Sequence, residues 1–247
     1  KVSYTKSNHA VGARVSYGKL TEASVKIPKL DGDDITGAAQ TTAHELGHYI
    51  DMLMREDADK YGNWISTTSN IGKAINESRE GISDNINAVF TKANTDIADI
   101  RKAVNEKYKP KIDELTAKYA DDISERVWKG SYQRYKEYEK ARKALYAEME
   151  DEISYRNRNH LNGIVSLQDI YDALSKGKYR DKGVIKYGHG SKYYRSEENQ
   201  INEIWANYCS LSLTRPDLID LLREDKPELV AALEEVKAEI LKRIGEM

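Results

Sequence analysis

The sequence predicts an α+β chain that is predominantly helical, with a small N-terminal β-hairpin or sheet and a long helical-hairpin insertion. Three observations predict it. Loose alternation of apolar and polar residues is confined to about 11–27. Beyond it, apolar residues recur at helical spacing through most of the chain. The middle third carries two such stripes in a dense Lys/Glu background, with Pro110 between them.

The elements follow in order. Val11, Ala13, Val15 and Tyr17, then Val25 and Ile27, read as two strands around Gly18-Lys19, the second ending at Pro28. A strand edge around Ser24–Ile27, close before the first helix, is suited to pairing with an extended peptide. A loop over 30–34 leads into a helix that Asp34 or Thr36 can cap. In that helix Ala39, Leu46, Ile50 and Leu53 are expected to face the core. Residues 54–70 are irregular, anchored by Trp64. From Ile71 to about Asn159 the pattern is helical, with a break expected at Pro110. This divides the chain into a body, 1–91 with 161–247, and a projecting helical hairpin, 92–160. A short helix over 163–174 has Ser166 and Asp169 spaced as a capping pair. A Gly/Tyr/Lys-rich loop follows over 177–196, then a helix over 197–213 with Ile201, Ile204, Trp205, Tyr208 and Leu211 inward. Two helices close the chain, about 217–223 and 227–244, the second with Asp225 and Glu228 as a capping pair.

Composition excludes several classes. At 247 residues the chain can bury a real core. A net charge of -2 leaves no basic footprint, so no nucleic-acid partner is expected. A charged fraction of 32% suits long solvated helices, and no apolar run approaches a membrane span. The first residues do not read as a signal peptide, and the single Cys209, expected to be a small buried residue, fits a reducing compartment. His9 and His160 carry no motif.

The chemistry-bearing stretch is His44-Glu45-Leu46-Gly47-His48. Two imidazoles four apart on a helix project from one face and can grip one Zn²⁺, while the Glu beside the first can reach an activated water. The bland alternative is a helix bearing two surface histidines. A zinc site needs a third protein ligand. Residues 51 and 54 are Asp and Met, not the Gly and His of a compact three-histidine pattern, and the alternative is a carboxylate from a second helix. Glu203, with Asn207 one turn later, supplies a candidate; the alternative is a surface glutamate. Asp51 is read either as an outer partner of His48 or as a surface charge.

Glu203 following H-E-x-x-H resembles the gluzincin arrangement of thermolysin-type peptidases. Residues 44–51 and about 187–244 are similar to the catalytic domain of the lethal-factor toxin family. A second resemblance rests on four stretches: His44-Glu-Leu-Gly-His-Tyr-Ile-Asp51, Ser166-Leu-Gln-Asp-Ile-Tyr171, Tyr187-Gly-His-Gly-Ser-Lys-Tyr-Tyr194 and Glu203-Ile-Trp-Ala-Asn-Tyr-Cys-Ser-Leu211. These look like the metallopeptidase-like C-terminal domain of phage minor head (head morphogenesis) proteins. The resemblance implies a zincin-like fold, Glu203 as third ligand, and Asn207 as the residue that orients His44. It also implies a Tyr or His of the preceding loop, Tyr187, His189 or Tyr194, as the oxyanion donor. The other reading of that loop is a Tyr-rich cover over the core.

The function expected is therefore zinc-dependent peptide-bond hydrolysis, with His44, His48 and Glu203 holding Zn²⁺ and Glu45 as general base. The expected partners are a peptide or protein substrate and phage head proteins, and the expected location is the bacterial cytoplasm or a virion. One alternative is a structural module of a phage head with a zinc site and no turnover. The other is a secreted or injected lethal-factor-like toxin protease domain.

Overall fold

The computed structural model describes residues 2–5, 10–16, 19–28, 35–54, 64–78, 81–124, 129–181 and 189–246. The protein is predominantly helical, with a small sheet at its N-terminal end. Strands β1 (Val2–Thr5), β2 (Ala10–Ser16) and β3 (Lys19–Pro28) pair in the order β1-β3-β2. β2 and β3 form the antiparallel hairpin read from the alternation, with an irregularity between Arg14 and Val15. β1 lies parallel to β3, from Val2 opposite Val25 to Thr5 opposite Pro28.

That topology corrects the expectation of a free edge at Ser24–Ile27. Val25 and Lys26 are paired on both sides, to β1 and to β2. The backbone groups a peptide would need there are already used.

The helices are α1 (Ile35–Leu53), α2 (Ile65–Thr68), α3 (Ile71–Glu77), α4 (Asp84–Lys118), α5 (Ala120–Ser124), α6 (Lys129–His160), α7 (Ile164–Leu174), α8 (Lys178–Asp181), α9 (Glu197–Thr214), α10 (Pro216–Asp225) and α11 (Pro227–Gly245). A single 3₁₀ turn covers Tyr193–Arg195. No helix of the described residues is long and apolar enough to cross a membrane. The contacts divide the chain into two units, residues 1–94 with 161–247, and residues 95–160.

In the first unit α1 packs on β3 and on α9, and α9 packs in turn on α7, α2, α3 and α10. α9 is thus enclosed, with Gln200 through Tyr208 all buried. Being held between two layers changes which residues of α1 are covered. Ala43, Gly47, Asp51 and Met52 are buried, whereas Leu53, expected in the core, is 41% exposed. Two polar seams lock the packing. Gln40 Nε2 donates to Ser166 Oγ at 2.8 Å, Gly163 N donates to Gln40 Oε1 at 3.1 Å, and Ser210 Oγ donates to the Gln40 carbonyl at 3.1 Å. At the other end Asp51 accepts from Ser66 N at 2.9 Å and from Ser66 Oγ, and Ser66 reaches Asn202 Oδ1 at 3.3 Å.

Three local expectations are corrected here. α1 begins at Ile35, so Thr36 lies inside it, and Asp34 falls outside the described residues. α7 begins after Gly163, whose φ is 74°, so Ser166 and Asp169 are interior residues turned toward α9 and the 189–194 loop rather than a capping pair. Asp225 does not cap α11; its Oδ2 accepts from Tyr171 Oη at 2.5 Å.

In the second unit, α4 continues through Pro110 instead of breaking. Proline removes one N–H and crowds the preceding turn, at a cost of about 3 kcal/mol in a helix interior. Pro110 and its neighbours Lys109 and Lys111 are exposed, so water can take up the carbonyl left without its helical donor. On the other face Tyr108 and Ile112 pack with Val104 against Met149, Ile153 and Leu145 of α6. Tyr108 Oη donates to Glu148 at 2.9 Å, and Lys107 meets Glu152 at 2.7 Å. Arg101 meets Glu150 at 3.0 Å and His160 meets Asp96 at 2.7 Å, so the two helices run antiparallel.

Candidate metal centre

His44, Glu45 and His48 stand on α1, and the spacing of four brings the two imidazoles together, ring centroids 4.8 Å apart and edge to face. Glu203 comes from α9. His44 Nε2 is 3.5 Å from Glu203 Oε2, and His48 Nε2 is 3.6 Å from Glu203 Oε1. Glu203 is 3% exposed, so it is not the surface glutamate of the alternative reading.

The meeting of the two helices depends on Gly47. A Cβ there would stand 3.0 Å from Cys209 Cβ and 3.2 Å from Ala206 Cα. A side chain there would be tighter than ordinary packing allows and would require its neighbours to give way. Trp205 then donates its indole N–H to the Gly47 carbonyl at 3.0 Å. The unrestricted third and fourth letters of H-E-L-G-H thus include one that sets the distance from the motif helix to the carboxylate. Cys209 lies half-buried in this contact, where burial pushes its thiol up to about 12.

The charge states suit a cation. Burial, reinforced by His48, lowers His44 to about 4, against the pull of Glu203 and Asp169. Burial alone would raise Glu203, but His48, His44 and His189 outweigh it and hold the carboxyl at about 2. His44 is therefore a neutral imidazole and Glu203 a carboxylate, the forms a metal requires. Glu45 is buried beside them, and burial with the Glu203 charge raises its pKa.

These residues fit a metal ion. The donor atoms of His44, His48 and Glu203 lie within 4.8 Å of one another. A tetrahedral ion with bonds of about 2.0–2.1 Å holds its ligands roughly 3.4 Å apart, close to the 3.5 Å from His44 to one Glu203 oxygen and the 3.6 Å from His48 to the other. Glu203 Oε2 is buried and has no hydrogen-bond partner among the described residues. An ionised oxygen so placed is costly without a compensating charge.

The loop residues separate into distinct places. Tyr187 lies outside the described residues, as does His9. Tyr194 is fully buried and donates to Asp169 Oδ1 at 3.2 Å. His189 donates its backbone N–H to Asp169 Oδ1 at 3.2 Å, and its Nδ1 stands 3.7 Å from both Asp169 Oδ2 and Glu203 Oε2. Gly177 makes room for this loop: its φ is 82°, and a Cβ would lie 2.4 Å from the Ser191 backbone.

Two residues at the site were given no role there from the sequence, although Tyr193 stands in the loop expected to supply the oxyanion donor. Tyr193 donates its hydroxyl to Glu203 Oε1 at 2.8 Å, and its ring stacks on His189 with centroids 4.1 Å apart. Its pKa is raised, by burial first and the Glu203 charge next, so the hydroxyl keeps its proton. Asp169 is buried where the loop meets α7. The adjacent Tyr193-Tyr194 pair was a signal for the first; nothing local distinguished which tyrosine turns inward.

The outer residues also differ from expectation. Asn207 is buried, but its Nδ2 donates to the Glu203 carbonyl at 2.9 Å, and it makes no hydrogen bond to His44. Four residues along a helix is the reach of that backbone oxygen, which wins over the imidazole. Asp51 is fully buried, neither a surface charge nor hydrogen-bonded to His48, because Ser66 takes both its oxygens. Burial pushes Asp51 up to about 6 against those hydrogen bonds.

Compared with protein-family models, with curated proteins and with solved structures, the chain finds no match.

Proposed function

We propose that this chain is a zinc-dependent peptidase domain with the gluzincin donor set and a zincin-like fold. The observation that carries the proposal is Glu203 reaching His44 and His48 from α9 while Glu45 stands buried beside them. Two imidazoles and one carboxylate are a donor set characteristic of catalytic zinc, leaving a coordination position open. When bound, zinc supplies Lewis acidity, polarising a carbonyl and bringing the pKa of water to about 7.

The chain's own groups do the rest. Glu45 accepts the proton of the attacking water at its carboxylate, for which its raised pKa prepares it. As the C–N bond breaks, the same carboxyl returns that proton to the departing amide nitrogen. Tyr193, 37% exposed and protonated, turns its hydroxyl from Glu203 Oε1 to the oxygen on which negative charge develops. His189 supports that ring by stacking. A purely structural zinc site has no use for a buried carboxyl of raised pKa beside its ligands, which favours turnover over the structural alternative. The substrate class is a peptide or protein; the motif resemblance points to phage head proteins.

Metal analysis joined to a peptide-library cleavage assay tests the reading. The wild type and Glu45→Gln are expected to retain zinc, and only the wild type to cleave. Tightly held zinc surviving in the His44→Ala/His48→Ala double variant would overturn the proposal.

A further inference from the structure

We propose that Asp169, His189 and Glu203 form a second divalent-cation site beside the first, with Glu203 common to both. This rests on the reading of His44, His48 and Glu203 as a metal site. One oxygen or nitrogen from each of Asp169, His189 and Glu203 lies within 4.8 Å of the others. His189 Nδ1 is 3.7 Å from Asp169 Oδ2 and 3.7 Å from Glu203 Oε2. Those distances are too long for hydrogen bonds, and they match ligands grouped around an ion with bonds of about 2.0–2.2 Å.

The surroundings hold the three groups in place. Asp169 is buried, and its Oδ1 is occupied by the His189 N–H and the Tyr194 hydroxyl, both at 3.2 Å. Those contacts leave Oδ2 turned toward the His189 ring. Glu203 Oε1 faces His48 at 3.6 Å and accepts from Tyr193 at 2.8 Å. Glu203 Oε2 lies between His44 at 3.5 Å and His189 at 3.7 Å, with no hydrogen-bond donor among the described residues. It is an unpartnered, buried atom that faces both sets.

Two carboxylates and one imidazole form a harder donor set than two imidazoles and one carboxylate. The second position therefore suits Mn²⁺ or Fe²⁺ as well as Zn²⁺. It is the weaker and more exchangeable of the two, because the His189 side chain is 40% exposed and Glu203 is shared. In paired sites of this kind the ions stand about 3.5–4 Å apart.

Manganese loading reads the proposal without reference to turnover. Protein stripped by chelator and titrated with Mn²⁺ is expected to bind two ions per chain, the second at least tenfold more weakly, with the electron paramagnetic resonance spectrum of a coupled pair. Asp169→Asn should bind one ion and show an uncoupled spectrum. His189→Ala, a change at a partly exposed side chain, should do the same and decides the matter if circular dichroism shows Asp169→Asn unfolded. One uncoupled ion in the wild type overturns the second site and leaves the first standing. If His189→Ala then also weakens that ion, His189 is its fourth ligand. No bound ion, or one that ignores His44→Ala/His48→Ala, overturns the first site instead.

Discussion

The Tyr193 hydroxyl donates to Glu203 Oε1 at 2.8 Å, so a loop side chain is held against the carboxylate that faces both motif histidines. Tyr193→Phe removes that hydroxyl and keeps the ring that stacks on His189. Metal content should be retained, while kcat falls about 10- to 1000-fold with a smaller change in KM. Steady-state kinetics on metal-loaded protein check it; an unchanged kcat would remove Tyr193 from the proposed chemistry.

Glu45→Gln keeps the shape of a side chain that burial has already made a better base. It cannot accept a proton. Turnover is expected to drop at least about 100-fold, with thermal stability and metal content unchanged. Equal turnover in the two metal-loaded proteins would assign the proton transfer elsewhere.

Gly47→Ala should separate α1 from α9, since its Cβ would meet Cys209 Cβ at 3.0 Å and the Ala206 backbone at 3.2 Å. Overpacking of this kind costs about 1–3 kcal/mol. Denaturant unfolding of the metal-free protein measures that cost. Metal titration should show weaker binding as well, because Glu203 rides on the displaced helix. Full stability with unaltered affinity would mean that the helices do not approach as closely as Gly47 allows.

Asp51 gives a pH signature with a definite sign. Its folded pKa, about 6, lies above the ordinary 3.8. The folded state therefore holds the extra proton between these values. Asp51's contribution is fully present below about 3.8 and is lost as pH rises through 6. Asn has no such dependence. Relative to the wild type, Asp51→Asn should gain stability between pH 4 and pH 7, by of the order of 2 kcal/mol. Urea unfolding of both metal-free proteins at the two pH values provides the comparison, which cancels the other titrating groups. Parallel behaviour would show that Asp51 is ionised throughout.

Spacing of four along one helix made His44 and His48 legible, because a helix converts that spacing into proximity without any outside help. Glu203 was legible as a candidate through its polar neighbour Asn207 and a motif resemblance, but its burial comes from helices packed on every side of α9, which no local pattern encodes. Asp169 was misread because Ser-x-x-Asp also describes a cap, and the glycine that starts α7 earlier competes with it. Tyr193 and Tyr194 are adjacent and chemically equal; a 3₁₀ turn sends one to Glu203 and the other to Asp169. β1 is only four residues long, and its parallel partner lies across the hairpin. At Pro110 the local rule predicted a break, and packing of Tyr108 and Ile112 against α6 overrode it.

The pairing of Asp96 with His160 at 2.7 Å has a consequence for the order of assembly. Asp96 near the start of the second unit thereby meets His160 at its end, so that unit closes upon itself. The Gly47–Trp205 contact spans 158 residues. Each doubling of a loop adds only about 0.6 kcal/mol of closure entropy, so the inserted length weighs little at equilibrium. It weighs more in time. At about 5–20 residues per second, a ribosome delivers α9 roughly 8–30 s after the motif helix. Until then the two imidazoles wait without their carboxylate. The donor set is completed by the late arrival of Glu203, and the inserted unit accounts for somewhat under half of that delay.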